Sequence, residues 1–84
     1  MKAKHQRTLE LIFSRPTPGG VKWSAIVGLF HELGAELVER EGSRVAVVFR
    51  DQVMVLHRPH PSPDVDKGAV ASIRKWLEES GVKP

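Results

Sequence analysis

The stretch from residue 35 to residue 58 constrains the fold of this chain more than any other. Three short runs, 35–40, 43–50 and 53–58, are rich in β-branched and aromatic residues and read as strands. Only Glu41-Gly42 and Arg50-Asp51-Gln52 interrupt them. Connections this short cannot hold a crossover helix, so the three strands must form an antiparallel meander. A three-stranded meander has one face to bury, and helices must cover it.

The second turn fixes which side chains are neighbours. Whether the two-residue loop is Arg50-Asp51 or Asp51-Gln52, odd positions of the second run share a face with even positions of the third. One face is then Val45, Val47, Phe49, Met54 and Leu56, which is wholly apolar and must be the core. The other is Arg44, Ala46, Val48, Arg50, Val53, Val55 and His57. Arg44 and His57 therefore share the outer face, directly opposite or one diagonal apart. A three-residue loop would break this parity, but it usually needs a glycine for its bulge and none stands here.

Helices flank the meander. Leu9, Ile12 and Phe13 form one stripe and predict a helix over 3–14. Arg15-Pro16-Thr17-Pro18-Gly19-Gly20 must be a loop, since its prolines remove backbone donors and its glycines free the chain. Trp23, Ile26, Val27, Phe30 and Leu33 give a wide apolar face over 22–33, and Gly34 stands where a left-handed cap is needed. Pro59, Pro61 and Pro63 make 59–65 stiff and irregular. Asp64 or Asp66 can then cap a last helix that runs to about Ser80, buries Val70, Ile73, Trp76 and Leu77, and ends at Gly81. The expected order is α-α-β-β-β-α, an α+β fold with a three-stranded antiparallel sheet covered by helices on one face.

At 84 residues the chain has the length of one domain. It contains no cysteine, which excludes a disulfide framework and a thiolate metal site. The longest apolar runs fall far short of the ~20 residues that span a bilayer, and the basic N-terminus is not followed by a signal-length apolar stretch. These features point to a cytoplasmic protein that engages no membrane. Net charge is +3 and unevenly spread. Residues 1–34 carry the whole excess, whereas 35–84 are balanced, with the acids at 36–41, 64–66 and 78–79. That leaves Arg44, Arg50 and Arg58 with His57 and His60 on a locally basic stretch opposed only by Asp51. Such a balance permits nucleic-acid binding without establishing it.

Two groups of residues are candidates for chemistry. His57-Arg58-Pro59-His60-Pro61 places two histidines beside arginines at a strand end. Histidine accepts and donates protons near neutral pH, and a guanidinium neutralises phosphate, so this set suits phosphodiester cleavage without a metal. The plain alternative is a rigid strand exit with solvated histidines. Two histidines with no third ligand nearby make a poor zinc site. His5 and His31 read as surface residues. At the start of the last helix, Lys67 opposes the helix dipole by about 0.3–1 kcal/mol, which is reasonable if a phosphate binds there. Asp64 and Asp66 can equally well neutralise it.

The helix ending at Gly34, the Gly42-Ser43 turn and the tail His60-Pro61…Lys67-Gly68…Ser72-Ile73-Arg74…Leu77…Gly81-Val82 occur in an order that resembles the HicA family. These are small mRNA interferase toxins of toxin–antitoxin pairs, with a fold similar to a double-stranded-RNA-binding domain. The resemblance covers about 22–83, which leaves 1–20 as an N-terminal helical extension. It implies an endoribonuclease that inhibits translation by cutting mRNA, needs no cofactor and is neutralised by a HicB-like antitoxin. One position departs from the pattern. The family usually has a histidine, taken as catalytic, after the Gly-Ser pair, and here that residue is Arg44. Arginine cannot act as a general base at neutral pH. Either the proton chemistry moves to His57 or His60, or the protein binds RNA and cuts it poorly. On the first option Arg44 clamps phosphate, His57 is the general base and His60 carries a second proton. Ser43, Arg44, Arg58, Lys67 and Arg74 are the residues offered to RNA. The alternatives are a non-catalytic RNA-binding module and a protein-interaction domain with a basic outer face.

Overall fold

The computed structural model describes residues 1–84. Three helices, α1 (Ala3–Phe13), α2 (Trp23–Glu32) and α3 (Lys67–Glu79), accompany a meander of β2 (Glu36–Glu39), β3 (Arg44–Phe49) and β4 (Gln52–His57). The expected α+β order is the order found, and the arrangement is that of a double-stranded-RNA-binding domain. Two further short strands were not expected. β1 (Val21–Lys22) pairs antiparallel with β5 (Asp64–Val65), outside the main sheet. The proline-rich segment and the Pro-Gly loop each end in one buried valine, Val21 and Val65, which stand opposite each other. The N–H of Trp23 donates to the Pro63 carbonyl at 2.9 Å, so the stiff segment supplies an acceptor at the start of α2.

The β3–β4 turn is Arg50-Asp51, with φ of 50° and 65°. Positive φ at both central residues fits the twist of a tight hairpin. The register Val45↔Leu56 and Val47↔Met54 places the expected apolar face toward the helices. Arg50 departs from the outer-face expectation because a turn residue leaves the pleat. Its guanidinium lies 4.8 Å from the centre of the Phe49 ring and donates to the Ser80 carbonyl at 2.5 Å, so it fastens the hairpin to the C-terminal end of α3.

The core lies between the inner sheet face and the helices. Ile26, Leu29 and Phe30 of α2, Val70, Ile73 and Leu77 of α3, and Leu9 and Ile12 of α1 join Val47, Phe49 and Leu56 in one cluster. Each such side chain contributes about 1.5–3 kcal/mol through burial. The Trp76 ring meets Phe30 edge-on at 6.2 Å and Phe49 at 6.1 Å. The N-terminal helix is thus part of the core. His5, expected on the surface, is half-buried against α2: a Cβ at Gly28 would stand 3.0 Å from its ring, so glycine there lets the two helices approach.

Both α2 and α3 end in the same way. Gly34 and Gly81 each take φ 85°. The N–H of the residue beyond each glycine, Ala35 or Val82, donates back to Phe30 or Leu77 at 2.9 Å. At the start of α3 it is Asp66 that caps, its carboxylate accepting from the Ala69 N–H at 2.8 Å. No helix is long and apolar enough to cross a membrane.

Candidate functional site

The register places Arg44 directly opposite His57. The Arg58 N–H donates to the Ser43 carbonyl, so positions 43/58 and 45/56 carry the β3–β4 ladder bonds. Arg44↔His57 is then one of the closer, non-hydrogen-bonded pairs, and its side chains leave the same face side by side. Both are exposed. The Arg44 Nε donates to the Glu41 carbonyl at 3.3 Å, which tilts the side chain toward the turn.

A third basic residue joins this row. The Arg40 N–H donates to the Arg44 carbonyl at 2.9 Å, which continues the β2–β3 register by one step beyond Glu39↔Val45. Arg40 therefore lies on the outer face next to Arg44, exposed and without an ion pair. Sequence reasoning did not single it out. The signal was present: Glu41-Gly42-Ser43 is a three-residue loop with Gly42 at φ 70°, and that loop type puts 40 opposite 44.

The other candidates are dispersed. Arg58 shares the parity of Leu56 and so stands on the inner side, where its guanidinium pairs with Glu39. Arg74 is partly buried and donates to the Thr17 hydroxyl at 3.0 Å and the Ser14 carbonyl at 3.5 Å. It pins the loop after α1 to α3. Ser43 lies in the β2–β3 turn, and its carbonyl holds the Arg58 N–H. Lys67 opens α3 and is exposed, with its stem 3.4 Å from where a Cβ on Gly19 would stand. Lys22, by contrast, pairs with Asp64 at 2.5 Å. His60 is exposed three residues past the end of β4.

Nowhere do three His, Asp or Glu side chains converge as metal ligands would. The row can bind an anion through two guanidiniums and move a proton through one imidazole. Beside it, a groove of about 350 Å³ runs between β4 and the first two turns of α3, with His57 among the residues that line it.

The family model for the HicA toxin of bacterial toxin–antitoxin systems matches residues 23–82. The chain matches no curated protein and no solved structure. The match takes in the whole meander, α2 and α3, and with them Arg40, Arg44 and His57, while α1 lies outside it. The chain belongs to the HicA toxin family, and membership gives it an antitoxin as partner.

Proposed function

We propose that the chain is an endoribonuclease that cuts mRNA without a metal ion and so inhibits translation, and that its antitoxin silences it. The observation that carries this reading is the Arg44↔His57 pair on the exposed sheet face of a family toxin. His57 takes the proton from a ribose 2′-OH, whose oxygen attacks the adjacent phosphorus. The bond from phosphorus to the 5′-oxygen breaks, and His60 returns a proton to that leaving oxygen. Arg44, with Arg40 beside it, neutralises the phosphate as charge develops. The products are a 2′,3′-cyclic phosphate and a free 5′-hydroxyl. Ser43 and Lys67 contact the RNA backbone at the flanks. Arg58 and Arg74 spend their guanidiniums within the protein and contribute to RNA binding mainly through their positive charge.

The replacement of the usual family histidine by Arg44 favours a second reading, an RNA-binding module without catalysis. Incubating RNA with the antitoxin-free protein in chelator separates the two. Cleavage with cyclic-phosphate ends supports the nuclease. Tight, steeply salt-dependent binding with intact RNA supports the module. Absence of salt-dependent binding defeats both and leaves a protein-interaction domain. In cells, expression without antitoxin should arrest growth and deplete mRNA.

The antitoxin is HicB-like and covers Arg44, His57 and the start of α3. Acidic groups laid against a basic, histidine-bearing face give both occlusion and specificity.

A further inference from the structure

The two edges of the sheet differ. β2 has four residues, and its edge is guarded by the charges of Glu36, Glu39 and Arg40. Charges on a short edge strand discourage pairing with another chain. β4 has six residues and holds neither a charge nor a proline between Gln52 and Leu56. Because residues 52, 54, 56 and 58 bond inward to β3, the N–H and C=O groups of Val53, Val55 and His57 point away from the sheet. No side chain satisfies them: none of the side-chain hydrogen bonds involves these three residues.

This open edge also borders the 350 Å³ groove, lined on the strand side by Met54, Val55, Leu56 and His57 and on the helix side by Asp66, Ala69 and Ser72. Ala69 and Ser72 are small and three apart, so they turn one face of the helix toward β4 and leave space. A sheet edge beside a helix is the geometry in which an extended peptide adds a strand: its backbone completes the ladder and alternate side chains drop into the groove. On the other side of an added strand lie Val53 and Val55, 57% and 52% exposed, and then His57 and Arg44.

We infer that the antitoxin binds by adding an extended segment to the β4 edge, with apolar or small side chains facing Ala69 and Ser72 and an acidic side chain on the outer face against His57 and Arg44. The inference rests on the reading above that the antitoxin covers this face; it does not require that the protein cleave RNA. Charge selects this occupant over a second copy of the chain. A second copy paired antiparallel about Val55 would set Val53 of one chain beside His57 of the other and bring no acidic strand residue to Arg44 and His57, whereas an acidic segment neutralises them.

The test is amide hydrogen exchange on the full chain, free and in complex with its full-length antitoxin. In the free protein, Val53, Val55 and His57 exchange as unprotected amides. In the complex they should slow by about 100-fold or more, as ladder amides do. A stable complex in which they still exchange freely overturns the strand-addition mode, even if Arg44 and His57 are occluded. Failure of the two proteins to associate overturns it as well. Protection already present in the free chain, rising with concentration, assigns the edge to a second copy and has the same effect.

Val55→Pro removes an edge N–H at a position where an edge strand tolerates proline, and should weaken antitoxin binding about 100-fold. Unchanged affinity overturns the proposal. If that variant does not fold, Ser72→Trp decides instead, since it fills the groove from an exposed helix position: about tenfold weaker binding is expected, and none is the contrary result. RNA cleavage by the free protein, measured in parallel, reports on the nuclease reading alone.

Discussion

On the inner face of the sheet Val45, Val47, Phe49 and Leu56 are at most 6% exposed, whereas Val53 and Val55 on the outer face stand 57% and 52% exposed. Leu56 and Val55 are consecutive in one strand and experience opposite environments. Val47, Phe49 and Leu56 are fixed by volume, because each fills part of a core closed by three helices. The outer residues carry little of the folding free energy and can hold chemistry without weakening the fold. Arg44, His57 and Arg40 share the outer face with the exposed valines, and none of them is needed to close the core.

The largest effect should come from the inner side. Leu56→Ala leaves a cavity in the core between sheet and helices and should cost about 2–5 kcal/mol, read from the urea midpoint of the antitoxin-free protein. A cost below about 1 kcal/mol would mean that the inner face is loosely packed and the contrast overstated.

Next comes the outer row. His57→Ala should reduce RNA cleavage by about 10²-fold or more while leaving the unfolding midpoint nearly unchanged. Arg44→Ala should weaken both RNA binding and cleavage, since a phosphate clamp acts on ground state and transition state alike. His60→Ala is the discriminating control: if it abolishes cleavage while His57→Ala remains active, the general base is His60. Full activity in both variants removes the histidine mechanism. His31→Ala, on the exposed side of α2, should change neither property.

A smaller effect, of opposite sign, is expected where the two faces meet. Asp51 holds φ 65°, a conformation that costs an L-residue about 1–2 kcal/mol and glycine much less. Asp51→Gly creates a common second residue for this turn type and should raise stability by about 0.5–1 kcal/mol. Stability lowered by the change would show that the Asp51 side chain contributes more than its backbone strain removes.

How much of this was legible depended on how local the cause was. Val45, Val47 and Phe49 alternate, and the turn after them has a short loop, so the inner face, the outer face and the sharing of one face by Arg44 and His57 followed from a count of residues, whereas their direct opposition rests on the register. The glycine caps at 34 and 81 were legible for the same reason. The β1–β5 pair was not, because it joins two-residue strands more than 40 residues apart, and two valines make no periodic signal. Arg50 left the expected outer face, and the internal partners of Arg58 and Arg74 were not legible. A guanidinium on a flexible stem goes where an acceptor is, and the acceptors (Ser80, Glu39, Thr17) lie on elements whose placement the sequence does not state. Arg40 was overlooked because the β2–β3 register was not worked through the three-residue loop.

The finest test makes the same substitution on both faces. Threonine has nearly the shape of valine, so Val→Thr changes polarity while keeping volume and β-branching. At Val47, 0% exposed, the new hydroxyl enters an apolar core where the inner-face neighbours offer only hydrocarbon, and it should cost about 1–3 kcal/mol. At Val55 the hydroxyl remains in water and the change should fall within about 0.5 kcal/mol. The two variants share chemistry and differ in face, so the gap between their urea midpoints measures the asymmetry of the sheet directly. Equal costs would mean that the outer face is covered in the free protein. A repeat at several protein concentrations then identifies the cover: a penalty at Val55 that grows with concentration points to a second copy, and a constant one to a segment of the same chain.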